Sequence, residues 1–422
     1  MMKEYKNVVL LSVDALRKDR VNGKYGRDVA PYLTKLAKEN TEFLNCMSTS
    51  SHTREAMSGM LTGKYPYKAN KTGIMPKSAP GGGFHLDTDT ISSYIDELST
   101  AGFHSNPFLS RSYGYDDNWD KFDDSLYLGN NKAITLLKRF LDKLRDKHYV
   151  RADEINEKSL NWVKSQEDGF FLWNHYMDPH GPYQPPKEVR GKYQHKVMAD
   201  RESQKLLKKA INTPEEISEN EKSKLIDLYD EELTYTDQQV KEFIESLEDE
   251  GILNETLVII VGDHGEAFGE NGFYEHGEAL NEELVRVPLI LVNGKDRSVD
   301  TPVSILDIVP TILSNFQKID NEFDGENLND IIKSEEDFKD RTVYFQDTKD
   351  HKLLFGGFNL QEGFFVFEKG EDEPTDSGIE NQVLNYSKSA LDREDSDEDG
   401  GEVEEEVKER LEALGYMEEK SR

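Results

Sequence analysis

One apolar run in the chain leads directly into residues that can bind a metal ion. Residues 258–266 read VIIVGDHGE, so a β-branched run reaches Gly262 and is followed by Asp263 and His264. This pattern predicts a buried strand that ends in a turn. Side chains just past the carboxyl end of a strand face the crevice in which open α/β sheets bind ligands. The same stretch is also compatible with a strand that merely ends in a polar turn.

A second apolar run of the same design favours the functional interpretation. Residues 7–14 read NVVLLSVD and stop at another aspartate, Asp14. Two carboxylates and an imidazole at the ends of parallel strands are an ordinary ligand set for a divalent cation. Asp14, Asp263 and His264 are therefore predicted to hold one ion. Oxygen ligands with one imidazole fit Ca²⁺, Mn²⁺ or Zn²⁺, and we favour Ca²⁺ or Mn²⁺.

A hydroxyl group at a helix start is the next chemical candidate. Residues 49–66 read TSSHTREAMSGMLTGKYP, with four apolar residues on one helical face: Ala56, Met57, Met60 and Leu61. The pattern predicts a helix that begins near Thr53 and is stopped by Gly63. A threonine in this position is usually a cap. Alternatively, its hydroxyl points at the metal while the free helix amides face an anion.

Histidines gather near a further predicted strand end. Residues 170–174 read FFLWN, and the following turn contains His175, Asp178 and His180. A glycine-rich loop at residues 270–280 holds His276. The strands that precede these groups are apolar throughout, which is typical of strands buried on both faces of a parallel sheet.

The elements that must position these residues can be predicted along the rest of the chain. Helices are predicted at residues 30–40, 89–100, 151–165, 222–251 and 403–416, and an exposed charged insertion at 187–221. From about residue 321 the pattern changes, and 343–346, 353–358 and 363–368 are predicted antiparallel strands. We therefore expect a main domain at 1–320 and a small C-terminal subdomain at 321–422, with an acidic linker at 392–406.

The composition limits the partners of the protein. The chain has 422 residues with a formal net charge of −32, which argues against nucleic acid as a partner. No run has the length of a transmembrane helix, and the N-terminal residues lack a signal-peptide pattern, so a cytoplasmic location is expected. Cys46 is the single cysteine, and we expect it to be a buried structural thiol. A strongly acidic chain is also what a cytosol of high salt would favour, because salt screens the repulsion between the negative side chains.

Several stretches together resemble the sulfatase family of the alkaline phosphatase superfamily. They occur in the family's order: NVVLLSVDALRKD, SSHTREAMSGMLTGKYP, WNHYMDPHGPYQPP, LYDEELTYTDQQV, LVIIVGDHGEAFGE, EHGEALNEELVRVPLILV, SILDIVPTIL and ERLEALGYME. The resemblance implies an α/β fold with a mixed, mostly parallel sheet flanked by helices. It also implies a smaller C-terminal antiparallel sheet with a terminal helix. The implied activity is attack on sulfur or phosphorus by a metal-assisted nucleophile.

The resemblance assigns roles to individual residues. Asp14, Asp263 and His264 match the family's metal ligands, and the nucleophile also contacts that metal. Most family sulfatases have Cys-x-Pro-x-Arg here, with the cysteine oxidised to formylglycine. Counting back from LTGKYP puts Thr53 at the nucleophile position, with Met57 where the arginine is expected. A shifted register would instead use Ser50.

The resemblance also implies roles for the surrounding groups. His180 and His276 would donate hydrogen bonds to ester oxygens or protonate the leaving group, unless they are structural histidines. They could instead bind a second metal ion together with Asp178. Arg54 would support the transferring group or form a surface salt bridge. Supporting roles are expected for His52 and His175, and a structural one for Asp307.

These assignments predict a metal-dependent hydrolase that cleaves a sulfate or phosphate ester through a threonine nucleophile. The substrate would be an anionic ester of a small molecule or a glycan. A threonine cannot form the aldehyde of formylglycine, so transfer of a phosphoalcohol group to an acceptor sugar is an alternative activity. A non-catalytic binding protein on the same fold is the third possibility, although the retained metal ligands and histidines argue against it.

Overall fold

A central mixed sheet organises the protein. The computed structural model describes residues 4–21, 23, 25–70, 85–124, 149–318, 322–349, 352–369, 378–392 and 407. Fourteen strands lie in these ranges: β1 (Asn7–Val13), β2 (Thr41–Met47), β3 (Ser99–Phe103), β4 (Lys121–Asp123), β5 (Phe170–Tyr176), β6 (Thr256–Gly262), β7 (Ala267–Phe268), β8 (Tyr274–Glu275), β9 (Arg286–Val292), β10 (Arg297–Val299), β11 (Val303–Ser304), β12 (Val343–Lys349), β13 (Lys352–Asn359) and β14 (Gly363–Glu368).

The strand order of the main sheet is β10-β2-β9-β6-β1-β5-β3-β4, with β11 also paired to β2. Strand β9 runs antiparallel to both of its neighbours, β2 and β6. The other pairs are parallel. The expected mixed, mostly parallel sheet is therefore confirmed.

Helices cover both faces of this sheet. In chain order they are α1 (Lys18–Val21), α2 (Pro31–Glu39), α3 (Thr53–Thr62), α4 (Pro66–Ala69), α5 (Ala152–Val163), α6 (Asp200–Asn212), α7 (Glu219–Asp249), α8 (Glu282–Val285), α9 (Ile308–Asn315), α10 (Leu328–Lys333) and α11 (Gly378–Leu391). Alternate residues of β1 enter different cores, with Val8 and Leu10 on the α3 and α9 side. Val9 and Leu11 lie on the side of α2, α5 and α7. Apolar layers on both faces explain the continuous apolar sequence of the strand.

A small antiparallel sheet forms the C-terminal part of the described chain. It has the order β12-β13-β14, and α11 packs against it through Val383 and Tyr386. This sheet confirms the predicted antiparallel architecture. Among the described residues, no helix is both long and apolar enough to cross a membrane. The predicted terminal helix at 403–416 and the acidic linker lie almost entirely outside the described residues.

Two predicted elements are wrong. Residues 89–100 do not form one helix, because a short 3-10 turn at Ile91–Tyr94 is followed by β3, which pairs with β5. Strand pairing here overrides the helical spacing of the apolar residues. The predicted insertion at 187–221 contains helix α6, whose buried residues are Ser203, Leu206, Leu207 and Ala210. Its many charges conceal this narrow apolar stripe in the sequence.

Candidate active site

The predicted metal ligands converge at the carboxyl ends of two neighbouring strands. β1 and β6 are parallel, with Val13 opposite Gly262, so Asp14 and Asp263 leave the sheet side by side. The next residue, His264, places Nε2 3.4 Å from Asp14 Oδ1 and 3.6 Å from Asp263 Oδ2. All three side chains are fully buried, and their nearest ligand atoms lie within 4.8 Å of one another.

The unused atoms of these groups fit a divalent cation. Asp14 Oδ1 and Asp263 Oδ2 are buried and have no hydrogen-bond partner. His264 Nδ1 lies 2.8 Å from the carbonyl oxygen of Gly265. That contact favours a proton on Nδ1, which leaves the lone pair of Nε2 directed at the two carboxylate oxygens. Burial of two carboxylates side by side is unfavourable without a cation between them.

The remaining carboxylate oxygens are held in place by polar neighbours. Asp14 Oδ2 accepts a hydrogen bond from Asn106 Nδ2 at 2.9 Å and lies 3.3 Å from His175 Nε2. Asp263 Oδ1 accepts from the backbone amides of Ala15 at 3.1 Å and His264 at 2.7 Å. Each carboxylate is thus oriented by one oxygen while the other faces the ligand cluster, as supporting groups do in metal sites.

Thr53 is the first residue of helix α3 and faces this cluster. Its Oγ1 atom lies 3.0 Å from His264 Nε2, and the side chain is buried. The helix ends at Thr62, where Gly63 adopts a φ of 66° and its amide donates to the Gly59 carbonyl. The predicted start and end of this helix therefore agree with the structure. The amide groups of the first turn also point towards the site, where they favour negative charge.

Two histidines form a second polar group beside the metal ligands. His180 Nε2 lies 3.1 Å from His276 Nε2, and the His276 ring stacks on His264 with a centroid distance of 4.3 Å. His276 Nδ1 is 3.2 Å from Glu266 Oε1, and Tyr183 donates to Glu266 Oε2 at 3.0 Å. His180 Nδ1 contacts the Gly181 carbonyl oxygen. With both Nδ1 atoms facing acceptors, the two Nε2 atoms can share one proton.

Burial controls the charges in this group. It lowers the pKa of His180 to about 4 and that of His276 well below the ordinary histidine value. The same burial raises the pKa of Glu266 to about 7. Burial therefore favours the neutral form of both imidazoles and disfavours two positive charges on the pair.

Ser50 and His52 contact a carboxylate from the C-terminal sheet instead of the metal ligands. Ser50 Oγ donates to Asp347 Oδ2 at 3.0 Å, and His52 Nδ1 lies 3.2 Å from Asp347 Oδ1. Although burial alone would lower it, the carboxylate raises the pKa of His52 to about 9. The structure thus brings Thr53, and not Ser50, to the side chain of His264.

Two predicted site residues have other partners. Asp178 accepts from Arg151 Nη1 at 2.5 Å and from the Ala152 amide at 3.1 Å, so its carboxylate caps helix α5. Asp178, His180 and His276 do not form a group of three potential metal ligands in the structure, and the second metal ion stays a prediction. Arg54 pairs with Glu55 at 2.7 Å, and its side chain is largely buried, so the salt bridge is not on the surface.

Asp307 has the structural role that the sequence suggested. It accepts two hydrogen bonds of 2.7 Å from Arg341. It also accepts from the amides of Ser304 and Glu326.

Cys46 is buried and free, and burial raises the pKa of its thiol.

Three residues that contact the site or the segment before Thr53 were not predicted. Glu266 follows the metal ligands directly, so its position after His264 and Gly265 was an available signal. Asn106 lies shortly after β3, in the segment HSNPFLS, and could have been considered as another polar group past a strand end. Asp347 lies on an antiparallel strand of a different sheet, and no local pattern indicates its contact with residues 50–52.

Comparison with known proteins agrees with this fold and site. The family model described as Sulfatase matches residues 6–318. An arylsulfatase of Clostridium perfringens is 25% identical over 440 residues, covering 87% of this chain and 89% of that protein. The uncharacterized sulfatase YidJ of Escherichia coli is 26% identical over 323 residues, covering 66% of this chain and 61% of that protein.

Solved structures share the fold at low sequence identity. A phosphonate monoester hydrolase of Agrobacterium radiobacter superposes with a TM-score of 0.66 and 16% identity, covering 93% of this chain and 96% of that chain. A protein in the alkaline phosphatase superfamily from Vibrio parahaemolyticus gives a TM-score of 0.62 and 15% identity, covering 94% and 90%. The chain therefore shares its fold with these proteins. The family model shows that it belongs to the sulfatase family, and it is a hydrolase of ester bonds.

Proposed function

We propose that the protein hydrolyses a sulfate, phosphonate or phosphate ester with Thr53 as its nucleophile and one divalent cation as cofactor. The observation that carries this proposal is the position of Thr53 Oγ1, 3.0 Å from His264 Nε2 at the start of helix α3. His264 Nε2 also faces the unpartnered oxygens of Asp14 and Asp263. A hydroxyl, a metal-ligand set and a helix N-terminus thus meet at one point.

Asp14, Asp263 and His264 would hold the cation, and Thr53 would complete the set. A divalent cation supplies two effects when bound, since it lowers the pKa of a coordinated hydroxyl and neutralises ester oxygens. The chain's own groups then determine the geometry. The first turn of α3 places Thr53 below the ester and directs backbone amides towards its oxygens.

His180 and His276 are the proposed proton donors. Thr53 loses its hydroxyl proton to water, its Oγ forms a bond to sulfur or phosphorus, and the bond from that atom to the leaving oxygen breaks. The bound anion favours a positive charge beside it, so the pair can take up the proton between its Nε2 atoms and pass it to the leaving oxygen, while Glu266 keeps His276 oriented through Nδ1. A water molecule then cleaves the ester on Thr53 and returns the hydroxyl.

We also propose that residues 1–320 carry the chemistry and that 321–422 form a supporting subdomain. The substrate class follows from the relatives, which include an arylsulfatase and a phosphonate monoester hydrolase. Both names refer to esters that carry a single negative charge on the reacting group, and such esters suit a chain of formal net charge −32.

A substrate panel tests the proposal. Protein loaded in turn with Ca²⁺, Mn²⁺ and Zn²⁺ is assayed on 4-nitrophenyl sulfate, 4-nitrophenyl phosphate, bis(4-nitrophenyl) phosphate and 4-nitrophenyl phenylphosphonate. Thr53→Ala is expected to abolish turnover of the best substrate while metal content persists, since three protein ligands remain. Thr53→Ser is expected to retain part of the rate, because it keeps the hydroxyl and removes only a methyl group.

Ser50→Ala is the matched control, because Ser50 is a nearby buried hydroxyl that bonds Asp347. We expect this variant to lose far less activity than Thr53→Ala. Mass spectrometry of acid-quenched enzyme should find a sulfuryl or phosphoryl adduct on the peptide that contains Thr53. Normal turnover by Thr53→Ala, or an adduct on Ser50, would overturn the assignment.

A further inference from the structure

A buried carboxylate of the C-terminal sheet contacts the segment that leads into Thr53. Asp347 lies on β12 and is 4% exposed. Its backbone neighbour Gln346 donates a hydrogen bond of 2.9 Å to the Thr49 carbonyl, which fastens β12 to the same segment. The C-terminal sheet therefore reaches the main domain at the point where helix α3 is about to begin.

The hydrogen bonds to Asp347 come from consecutive residues. Its Oδ2 atom accepts from Ser50 Oγ at 3.0 Å, from the Ser51 amide at 3.0 Å and from Ser51 Oγ at 2.6 Å. Its Oδ1 atom faces His52 Nδ1 at 3.2 Å and accepts from the Thr348 amide at 2.7 Å. One carboxylate thus restrains the three residues before Thr53.

Other side chains reach helix α3 only beyond Thr53, where Tyr115 donates to the Arg54 carbonyl at 3.2 Å and Thr49 Oγ1 to the Glu55 carbonyl at 3.4 Å. Its N-cap residue, His52, makes no capping hydrogen bond from its side chain to the first turn. The opposite side of the segment is closed by Gly277, whose amide donates to the Ser51 carbonyl at 3.2 Å. Gly277 has a φ of 76°, and a Cβ atom there would overlap the His52 ring. The segment before Thr53 is therefore enclosed between Asp347 and the loop that carries His276.

We propose that Asp347 is a positioning residue that sets the orientation of Thr53 for attack. This inference rests on the proposed role of Thr53 as nucleophile and adds the C-terminal sheet to the machinery. The direction of Thr53 Oγ depends on where α3 begins and on the backbone of residues 50–52. A shift of about 1 Å in a reacting group can reduce a rate on the order of 100-fold.

The test uses Asp347→Asn in the full-length, metal-loaded protein with the best ester of the substrate panel. The amide has the size of the carboxylate, but in either orientation its NH₂ group faces a backbone donor, the Ser51 amide or the Thr348 amide. We expect kcat to fall on the order of 100-fold, with KM changed by less than about threefold and metal content unchanged. Ser51→Ala removes one of the bonds to Asp347 and should give a smaller loss of kcat with the same unchanged KM.

Tyr386→Phe is the matched control. Its hydroxyl donates to Gln346 Oε1 at 2.7 Å, so the variant removes a buried hydrogen bond beside Asp347 that does not involve residues 50–52. We expect a lower melting temperature and a normal kcat. If kcat of Asp347→Asn stays within about twofold of the wild type, or falls only as much as that of Tyr386→Phe, the inference is wrong.

Three further outcomes separate this inference from the proposed function. If Asp347→Asn does not fold, Ser51→Ala decides the question, and a wild-type kcat for that variant overturns the inference. If Thr53→Ala remains active, the proposed nucleophile is wrong, whatever Asp347→Asn does. Loss of activity in Thr53→Ala with normal kcat in Asp347→Asn would leave the proposed function standing and remove only the role of Asp347.

Discussion

Removing one buried hydroxyl should loosen the turn that carries the first metal ligand. Tyr229 lies on helix α7 and is fully buried. Its hydroxyl donates to the Ala15 carbonyl at 2.8 Å and accepts from the Arg17 amide at 3.1 Å. Ala15 follows Asp14 directly and has a φ of 56°, a conformation that non-glycine residues seldom adopt. The hydroxyl therefore stabilises a strained turn beside the proposed metal site.

The magnitude follows from the two backbone groups that Tyr229→Phe would leave unpaired. Phenylalanine keeps the ring in its contacts with Phe268 and Tyr183, so no cavity forms. Each buried polar group without a partner costs about 1–3 kcal/mol, which places the loss in unfolding free energy at about 2–4 kcal/mol after partial relaxation. The strain of a positive φ, about 1–2 kcal/mol, then favours movement of the turn and of Asp14.

Urea unfolding with a chelator present measures the unfolding free energy of the metal-free protein. Titration calorimetry with Mn²⁺ measures the metal affinity of the site. We expect the stability loss above and a metal affinity lower by about tenfold, as for other residues that support metal ligands. Tyr193→Phe is the control, because its hydroxyl contacts Thr234 Oγ1 and the Asp28 carbonyl where water can replace it. A stability loss for Tyr229→Phe below about 0.5 kcal/mol with unchanged affinity would refute this reasoning.

Three other predictions concern metal, salt and pH. Elemental analysis should find about one divalent ion per chain, lost in Asp263→Ala, and a full complement in that variant would contradict the ligand assignment. The net charge of −32 predicts a melting temperature that rises by several degrees from low to molar KCl, and a salt-independent value would remove the halophilic interpretation. Burial raises the pKa of Asp237, which accepts from the amides of Tyr32 and Leu33, from 3.8 to about 6. Its folded state therefore binds the proton more tightly, so the wild type should lose about 3 kcal/mol relative to Asp237→Asn as the pH rises from about 4 through 6. A pH-independent difference between the two unfolding free energies would contradict this.

The parts of the site that follow strand ends could be predicted from sequence. Asp14 and Asp263 each end an apolar run, and parallel neighbours must bring such residues to one edge of a sheet. The start of helix α3 at Thr53 could be predicted for a similar reason, since an apolar helical face begins there and Gly63 stops it. Local pattern and tertiary position agree at these points.

The remaining contacts join residues that are far apart in the sequence or that turn away from the site, and no local pattern predicts them. Asp178 follows a strand end as Asp14 does, yet its carboxylate turns to Arg151 and the start of α5. The sequence spacing of Asp178 and His180 suggested a shared site, but a side chain at a strand end can face either the crevice or a neighbouring helix. Asp347 is nearly 300 residues from Ser50, and only the packing of β12 against the main domain makes the two meet.

If the proposed function is right, the anionic ester must be bound by the histidines and the cation. The family pattern has an arginine where this chain has Met57, and Arg54 pairs with Glu55. Arg151 likewise bridges Asp178 and Glu232. A chain of formal net charge −32 repels a doubly charged ester more strongly than a singly charged one. Because Arg54 and Arg151 are already engaged with carboxylates, we expect a singly charged sulfate or phosphonate ester to be a better substrate than a doubly charged phosphate monoester.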